Sequence, residues 1–317
     1  MASQKPIVVV GSINMDLVAV TGRIPEVGET VIGVDFQIHP GGKGANQAVA
    51  IARLGYPVQL IGCLGSDNFG VQLRGHLQGS GVNLDGVAVH EGTSGVAVIV
   101  VSDTGENCIV VMSGANAKVT PRDLDANIDI IRRAGIVLAQ LEIPLETVEY
   151  LAKLCAREGI PLILDPAPAR ELPAGIFRDI AWFTPNQTEA AFYAGDNRSQ
   201  QQESQPAATA ARLLAKGCGG VVLKMGAEGA CLASRKGLDA QVPAFAVNAV
   251  DTTAAGDAFN GGFATALMLG KSPLESADFA SAVAAICVTR SGAQPSMPTM
   301  AEVQEFIDGH GTRMVSE

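Results

Sequence analysis

The chain has 317 residues, 47% of them apolar and 17% charged, and its 22 Lys and Arg against 32 Asp and Glu give a formal net charge of −10. That length supports one large α/β domain or two smaller ones, and the apolar share excludes disorder as the general state. An acidic chain with 4% aromatic residues lacks the basic footprint and stacking rings that nucleic acid asks for.

The polar start Met1–Pro6 runs straight into Ile7–Val10, with no basic region, apolar stretch and cleavage site of a signal peptide. No segment approaches the ~18 apolar residues of a membrane span. The six cysteines (Cys63, Cys108, Cys155, Cys218, Cys231, Cys287) are scattered without a Cys-x-x-Cys pair, so buried reduced thiols and a cytoplasmic location are expected.

Ile7–Val10 reads as a buried strand ending at Gly11. Ala45–Leu54 reads as a helix stopped by Gly55, Val58–Cys63 as the next strand, and Phe69–Gln78 as a helix ending at Gly79. Thr30–His39 and Ser94–Met112 break this rhythm: they are rich in β-branched residues, and 102–106 (Ser-Asp-Thr-Gly-Glu) reads as a hairpin turn. They predict a small β appendage, built from about 15–40 and 93–114, that acts as a lid over the ligand end of a sheet or simply adds edge strands. Ile136–Gln140 and Leu162–Asp165 read as strands around a helix at Leu145–Arg157, and Ala181–Thr184 and Gly220–Lys224 as further strands. Asn197–Gln205 reads as a polar surface loop before a helix at Ala207–Lys216, and Gly309–Glu317 as a frayed tail. Continuous apolar strands between helices predict a doubly wound, mostly parallel sheet flanked by helices, as a single domain over 1–317.

The sharpest local feature is Asp251-Thr252-Thr253-Ala254-Ala255-Gly256-Asp257. Phe259, Phe263 and Leu267 recur at helical spacing behind it, so these small residues open a helix, whose free N–H groups and dipole favour an anion. Asp257 falls in the first turn. There it either complements the dipole or accepts the proton of an attacking hydroxyl while the amides hold a phosphoryl group. The helix end predicts a lowered pKa and a weak base.

Pro40-Gly41-Gly42-Lys43-Gly44-Ala45-Asn46-Gln47 suits close backbone contact with a small polar ligand, or a tight turn into a helix. It is neither a Walker A loop, since Gly44 follows Lys43, nor a dinucleotide fingerprint. Asn14 and Asp16 lie just past the first strand, and Glu142 just past Ile136–Gln140, where doubly wound sheets bind ligands. Asn186 and Glu189 have a spacing that serves magnesium and its waters, or a helix start after Pro185.

Together these stretches resemble the ribokinase-like family of sugar kinases, from Val8 to about Pro298. The sugar signature is matched by 41–48, and two further family stretches by 165–170 (Asp-Pro-Ala-Pro-Ala-Arg) and 251–257. The resemblance implies phosphorylation of D-ribose at O5 by ATP, with Asp257 as base and Ala254, Ala255 and Gly256 as the anion hole. It implies a sugar site at Asn14, Asp16, Gly42, Lys43, Gly44, Ala45, Asn46 and Glu142. It implies an ATP site at Asn186, Lys224, Met225, Gly226, Ala227, Glu228, Gly229, Gly256 and Ser281, and an indirect magnesium role for Glu189. A potassium site is implied at Asp251, Thr253, Cys287, Arg290, Gly292 and Ser296, and a homodimer through the lid. A kinase for 2-deoxyribose, another furanose or a nucleoside is the alternative. Ala254 stands where many relatives have Gly, Lys224 where a small hydroxyl residue is common, and Ser281 in place of a more usual polar residue.

Overall fold

The structure is a computed structural model that describes residues 4–196 and 205–310. The expected loop at 197–205 lies outside the described residues up to 204, as does the expected tail at 309–317 from 311, while Gly309 and His310 end the last helix instead of fraying.

The main sheet has nine strands in the order β13-β12-β11-β10-β9-β8-β1-β4-β5. These are β1 (Ile7–Val10), β4 (Val58–Gly65), β5 (Asn83–His90), β8 (Ile136–Ala139), β9 (Leu162–Leu164), β10 (Trp182–Phe183), β11 (Gly220–Lys224), β12 (Ala230–Ser234) and β13 (Asp239–Val242). Pairing is parallel from β5 to β11, and β12 and β13 extend the edge antiparallel. β1 is fully buried because both faces are covered, which is why it reads as an unbroken apolar run. Ile7 and Val9 face one apolar cluster and Val8 and Val10 the other.

The first cluster is closed by α1 (Lys43–Arg53), α2 (Asn68–Gly79), α8 (Ala255–Met268), α9 (Pro273–Val288) and α10 (Met300–His310). The second is closed by α3 (Pro121–Ala126), α4 (Ile128–Arg133), α5 (Leu145–Glu158), α6 (Gln187–Ala194) and α7 (Pro206–Ala215). Helices on both faces of a mostly parallel sheet are the architecture that the alternating pattern predicts.

A separate four-stranded sheet, β3-β2-β6-β7, consists of β2 (Asn14–Thr21), β3 (Asp35–Gly41), β6 (Gly95–Ser102) and β7 (Asn107–Met112). It corrects the sequence reading twice. β2 starts at Asn14, one residue before the expected appendage at about 15–40, so Asn14 joins Asp16 in this sheet, and the alternation Asn14, Met15, Asp16, Leu17 is the signal that finds it. Residues 30–34 carry no strand, because pairing with β2 begins only at Asp35 opposite Val20. The cysteines also depart once from expectation: all six are free, but Cys108 on β7 is exposed.

Candidate active site

The parallel strands deliver the polar residues. Ser12 follows β1, Gln140 and Glu142 follow β8, Asp165 follows β9, Asn186 follows β10, and Lys224 ends β11. All lie at the carboxyl ends of parallel strands, where the backbone leaves the sheet and opens a crevice.

Into that crevice point the N-termini of α1 and α8. Gly42 enters α1 with φ 89°. A Cβ on Gly44 would lie 2.6 Å from the Gly11 carbonyl carbon, so only glycine lets α1 approach the end of β1 this closely. α8 begins after Ala254, which sits in the left-handed region at φ 59°. The Ala255 N–H turns back onto the Thr252 carbonyl at 3.2 Å, and the Ala254 carbonyl receives the Ala258 N–H. The N–H groups of Ala254, Gly256 and Asp257 have no acceptor among the described residues, so of the expected anion hole only the Ala255 amide is turned away, and Gly256 and Asp257 are open donors of the helix itself.

Asp257 is buried, and its carboxylate accepts from Asn46 Nδ2 at 3.0 Å and from Gln47 Nε2 at 3.1 Å. Gln294 donates to Asn46 and Gln140 to Gln47, so both amides are themselves fixed. Burial pushes the Asp257 carboxyl up to about 6, with Lys43 opposing and Asp165 adding to the rise. This overturns the lowered pKa expected from the helix end: the loss of hydration outweighs the dipole, and the group is a competent base near neutral pH.

Around Asp257 stand further acids. Burial, then the charges of Glu142 and Asp257, push Asp16 up to about 7. Glu142 accepts from Ser12 Oγ at 2.5 Å and from the Lys43 N–H at 3.2 Å. Burial alone would lower the Lys43 ammonium, but the carboxylates of Asp257, Asp165, Glu142 and Glu189 together hold it above its ordinary value. Asn14 is buried and accepts from Asn116 Nδ2 at 2.7 Å. Gly42, Gly44, Ala45 and Asn46 bring the start of α1 to this same end of the crevice.

Beside this acidic end opens a cavity of about 480 Å³. Lys43, Asp165, Lys224, Gly256 and Asp257 line its polar end, and Phe245, Val247, Ala249, Ala284, Ala285 and Val288 its apolar end. Asn186, Glu189, Gly226, Ala227, Gly229 and Ser281 also line it. Met225 is buried in the core and Glu228 is exposed, so the structure places the side chains of these two sequence-predicted residues outside the lining. Asn186 and Glu189 form a reciprocal cap at the start of α6, with the Asn186 N–H donating to Glu189 at 2.8 Å and the Glu189 N–H to Asn186 at 2.8 Å. Burial and the nearby Asp165 raise Glu189, so its charge is poorly neutralised.

Behind α8 the Asp251 carboxylate accepts from the N–H groups of Thr253 and Gly292, both at 2.8 Å. Burial opposes its ionisation, but these hydrogen bonds hold it below the ordinary carboxylate range. Ser296 donates to the Ala293 carbonyl and contacts Cys287 Sγ at 2.9 Å, while the Arg290 guanidinium turns away to Glu302.

The residues that sequence reasoning missed are the buried amides Gln47, Asn116, Gln140 and Gln294, and the carboxylate of Asp165. Gln47 and Asp165 stood inside quoted motifs, but only the folded geometry reveals that Gln47 Nε2 bridges Asp165 and Asp257.

A model of the pfkB family of carbohydrate kinases matches residues 4–300. A ribokinase of Haemophilus influenzae is 40% identical over 306 residues, covering 96% of this chain and 99% of that protein. A deoxyribokinase of Salmonella typhimurium is 36% identical over 303 residues, covering 95% and 98%. The solved structure of Arabidopsis thaliana ribokinase complexed with ribose and ATP superposes with a TM-score of 0.86 at 37% identity, covering 95% of this chain and 98% of that one.

Proposed function

The chain belongs to the pfkB family of carbohydrate kinases, and on that premise we propose that it transfers the γ-phosphoryl group of ATP to O5 of D-ribose, giving D-ribose 5-phosphate and ADP. It is a sugar kinase with a ribokinase-like fold. The observation that carries the reaction is a buried carboxylate, Asp257, raised to about 6 and set beside two open backbone amides.

Asp257 takes the proton of the attacking hydroxyl as O5 bonds to the γ-phosphorus. The bond from that phosphorus to the bridging oxygen breaks, and ADP leaves with the electron pair. The Gly256 and Asp257 amides hold the oxygens of the transferring group, which a loose transition state needs more than strong basicity. Asp16 and Glu142 offer acceptors to sugar hydroxyls, with Asn14 and 42–46 shaping the same end. The apolar end near Ser281, Ala284 and Val288 suits a purine, which supports a triphosphate path along Lys224, 226–229 and Asn186.

No cluster of three metal-ligating side chains occurs among the described residues, so magnesium fits as an ion held by nucleotide phosphates and water, with Asn186 and Glu189 nearest. When bound it neutralises phosphate charge. Asp251, ionised and tying the loops at 253 and 292 together, suits a weakly hydrated cation such as potassium, with carbonyls of Thr253, Cys287, Arg290 and Gly292 and the Ser296 hydroxyl completing the set. No described helix is long and apolar enough to cross a membrane. We place the protein in the cytoplasm, where its two substrates are at hand, and as a homodimer through the small sheet.

An ADP-release assay across D-ribose, 2-deoxyribose, fructose and adenosine, with potassium or sodium, tests the reading. D-ribose with potassium is the expected best case; preference for 2-deoxyribose would favour the other activity found among the relatives. Asp257→Asn is expected to lower kcat by ~10²–10⁴-fold while calorimetric sugar binding survives, and full turnover would remove Asp257 from the reaction.

A further inference from the structure

Lys224 ends β11 on the triphosphate path, with a charge that the transfer step itself leaves without a role. Lys224 is largely buried, and its Nζ lies 2.9 Å from Asp165 Oδ1. The other Asp165 oxygen is occupied by Gln47, which also holds Asp257. A Cβ built on Gly256 would lie 3.4 Å from Lys224 Nζ, so the ammonium stands over the open end of α8. Asp165 is the one hydrogen-bond acceptor of Nζ among the described residues, and an ammonium has three donors. The remaining N–H bonds belong to the same cavity end as the Gly256 and Asp257 amides.

We infer that Lys224 is a catalytic cation: its ammonium, held over the start of α8 by Asp165, contacts an oxygen of the γ-phosphoryl group as it moves from ATP to the sugar. The inference rests on the phosphotransfer reading. Lys224 donates hydrogen bonds and gives up no proton; Asp257 alone accepts the hydroxyl proton, and ADP leaves as before. Charge on the equatorial oxygens is met from one side by amides and from the other by the ammonium. A cation fixed in place by a largely buried carboxylate is more effective there than a mobile, fully hydrated one. Asp165 keeps the lysine extended at that point before nucleotide enters, so little reorganisation is needed.

The competing role is structural, with Lys224 serving only as the counterion of buried Asp165. Four proteins separate the two: wild type, Lys224→Met, Asp165→Asn and the double variant Asp165→Asn/Lys224→Met. The double variant leaves no unpaired carboxylate, so it carries the test if Lys224→Met does not fold. Steady-state kinetics, with sugar and ATP each varied at saturating levels of the other, are the readout. Lys224→Met is expected to lose ~10²–10³-fold in kcat, and the double variant to stay down by a similar factor relative to Asp165→Asn. The KM for sugar is expected to hold within about two-fold, since the lysine acts on the phosphoryl group. A double variant that matches Asp165→Asn in kcat overturns the proposal, as does a Lys224→Met enzyme that raises the KM for ATP with kcat intact. Wild type failing to phosphorylate any sugar would instead sink the phosphotransfer reading.

Discussion

Asp257 meets its helix end from inside the protein, and that location decides its chemistry. A first-turn carboxylate exposed to water would be stabilised in its charged form. Here the water is gone, the acids Asp16 and Asp165 stand nearby, and the carboxyl titrates at about 6. Asp16 follows at about 7. Both values lie above the ordinary 3.8, so the native state holds protons that the unfolded chain releases. The stability this contributes is present at low pH and is lost as pH rises through about 6 to 7. Two outcomes follow at this scale. The kcat/KM for sugar should fall on the acid side of neutrality with more than one proton taken up, as interacting carboxyls titrate together. Asp16→Asn should remove the upper step, weaken sugar binding, and raise the ligand-free Tm more at pH ~8 than at pH ~5, as the penalty of the raised carboxyl grows between its ordinary 3.8 and about 7 and is complete only above that. An unchanged difference in Tm between the two pH values would count against a buried, raised Asp16.

At the scale of elements, the site is an encounter of two helix starts with the ends of parallel strands. α1 comes close because Gly44 has no side chain to press on Gly11, and α8 is turned by a left-handed residue at Ala254. The approach of α1 brings Asn46 and Gln47 onto Asp257, so the glycine acts on the base from a distance. Gly44→Ala should therefore cost ~1–3 kcal/mol in urea unfolding, through backbone that cannot yield, and should also lower kcat. A variant as stable and active as wild type would show that α1 shifts freely. Ala254 is tolerated in the left-handed region at a cost that glycine would avoid, which accounts for the turn without assigning the residue a contact to substrate.

At the scale of the whole molecule, the small sheet meets the apolar core through Met15 and Leu17 and leaves apolar side chains exposed on both of its faces. Strand register puts Leu17, Phe36, Ile38, Val98, Val110 and Met112 on one face, and Asp16, Val18, Gln37, His39, Ile99, Ile109 and Val111 on the other. Phe36, Ile38, Val110 and Met112 are exposed, and Phe36 retains 59% of its accessible surface. Burying Phe36, Ile38, Val110 and Met112 against a second copy is what the proposed homodimer would do. Phe36→Asp/Val110→Asp is expected to elute as a monomer in size-exclusion chromatography at a concentration where wild type is dimeric. A dimer that persists would place the contact elsewhere.

The sequence by itself determined the α/β alternation, the strands of the parallel region, the hairpin at 102–106 and the two small-residue helix starts. Each is written in neighbouring residues: buried strands as apolar runs, turns as Gly, Asp and Ser, helix starts as small residues before a periodic apolar face. It also placed Asp257, Glu142 and Lys43 at strand or helix ends, because ligand crevices form where parallel strands stop. What only the tertiary structure decided is how those groups act on one another. Asn46 and Asp257 are 211 positions apart, and Lys224 and Asp165 are 59 apart. The raised base, the pair of open amides and the tethered lysine arise from burial and from charges brought together across the fold. Their energies depend on distance and hydration in space, which order along a chain does not encode.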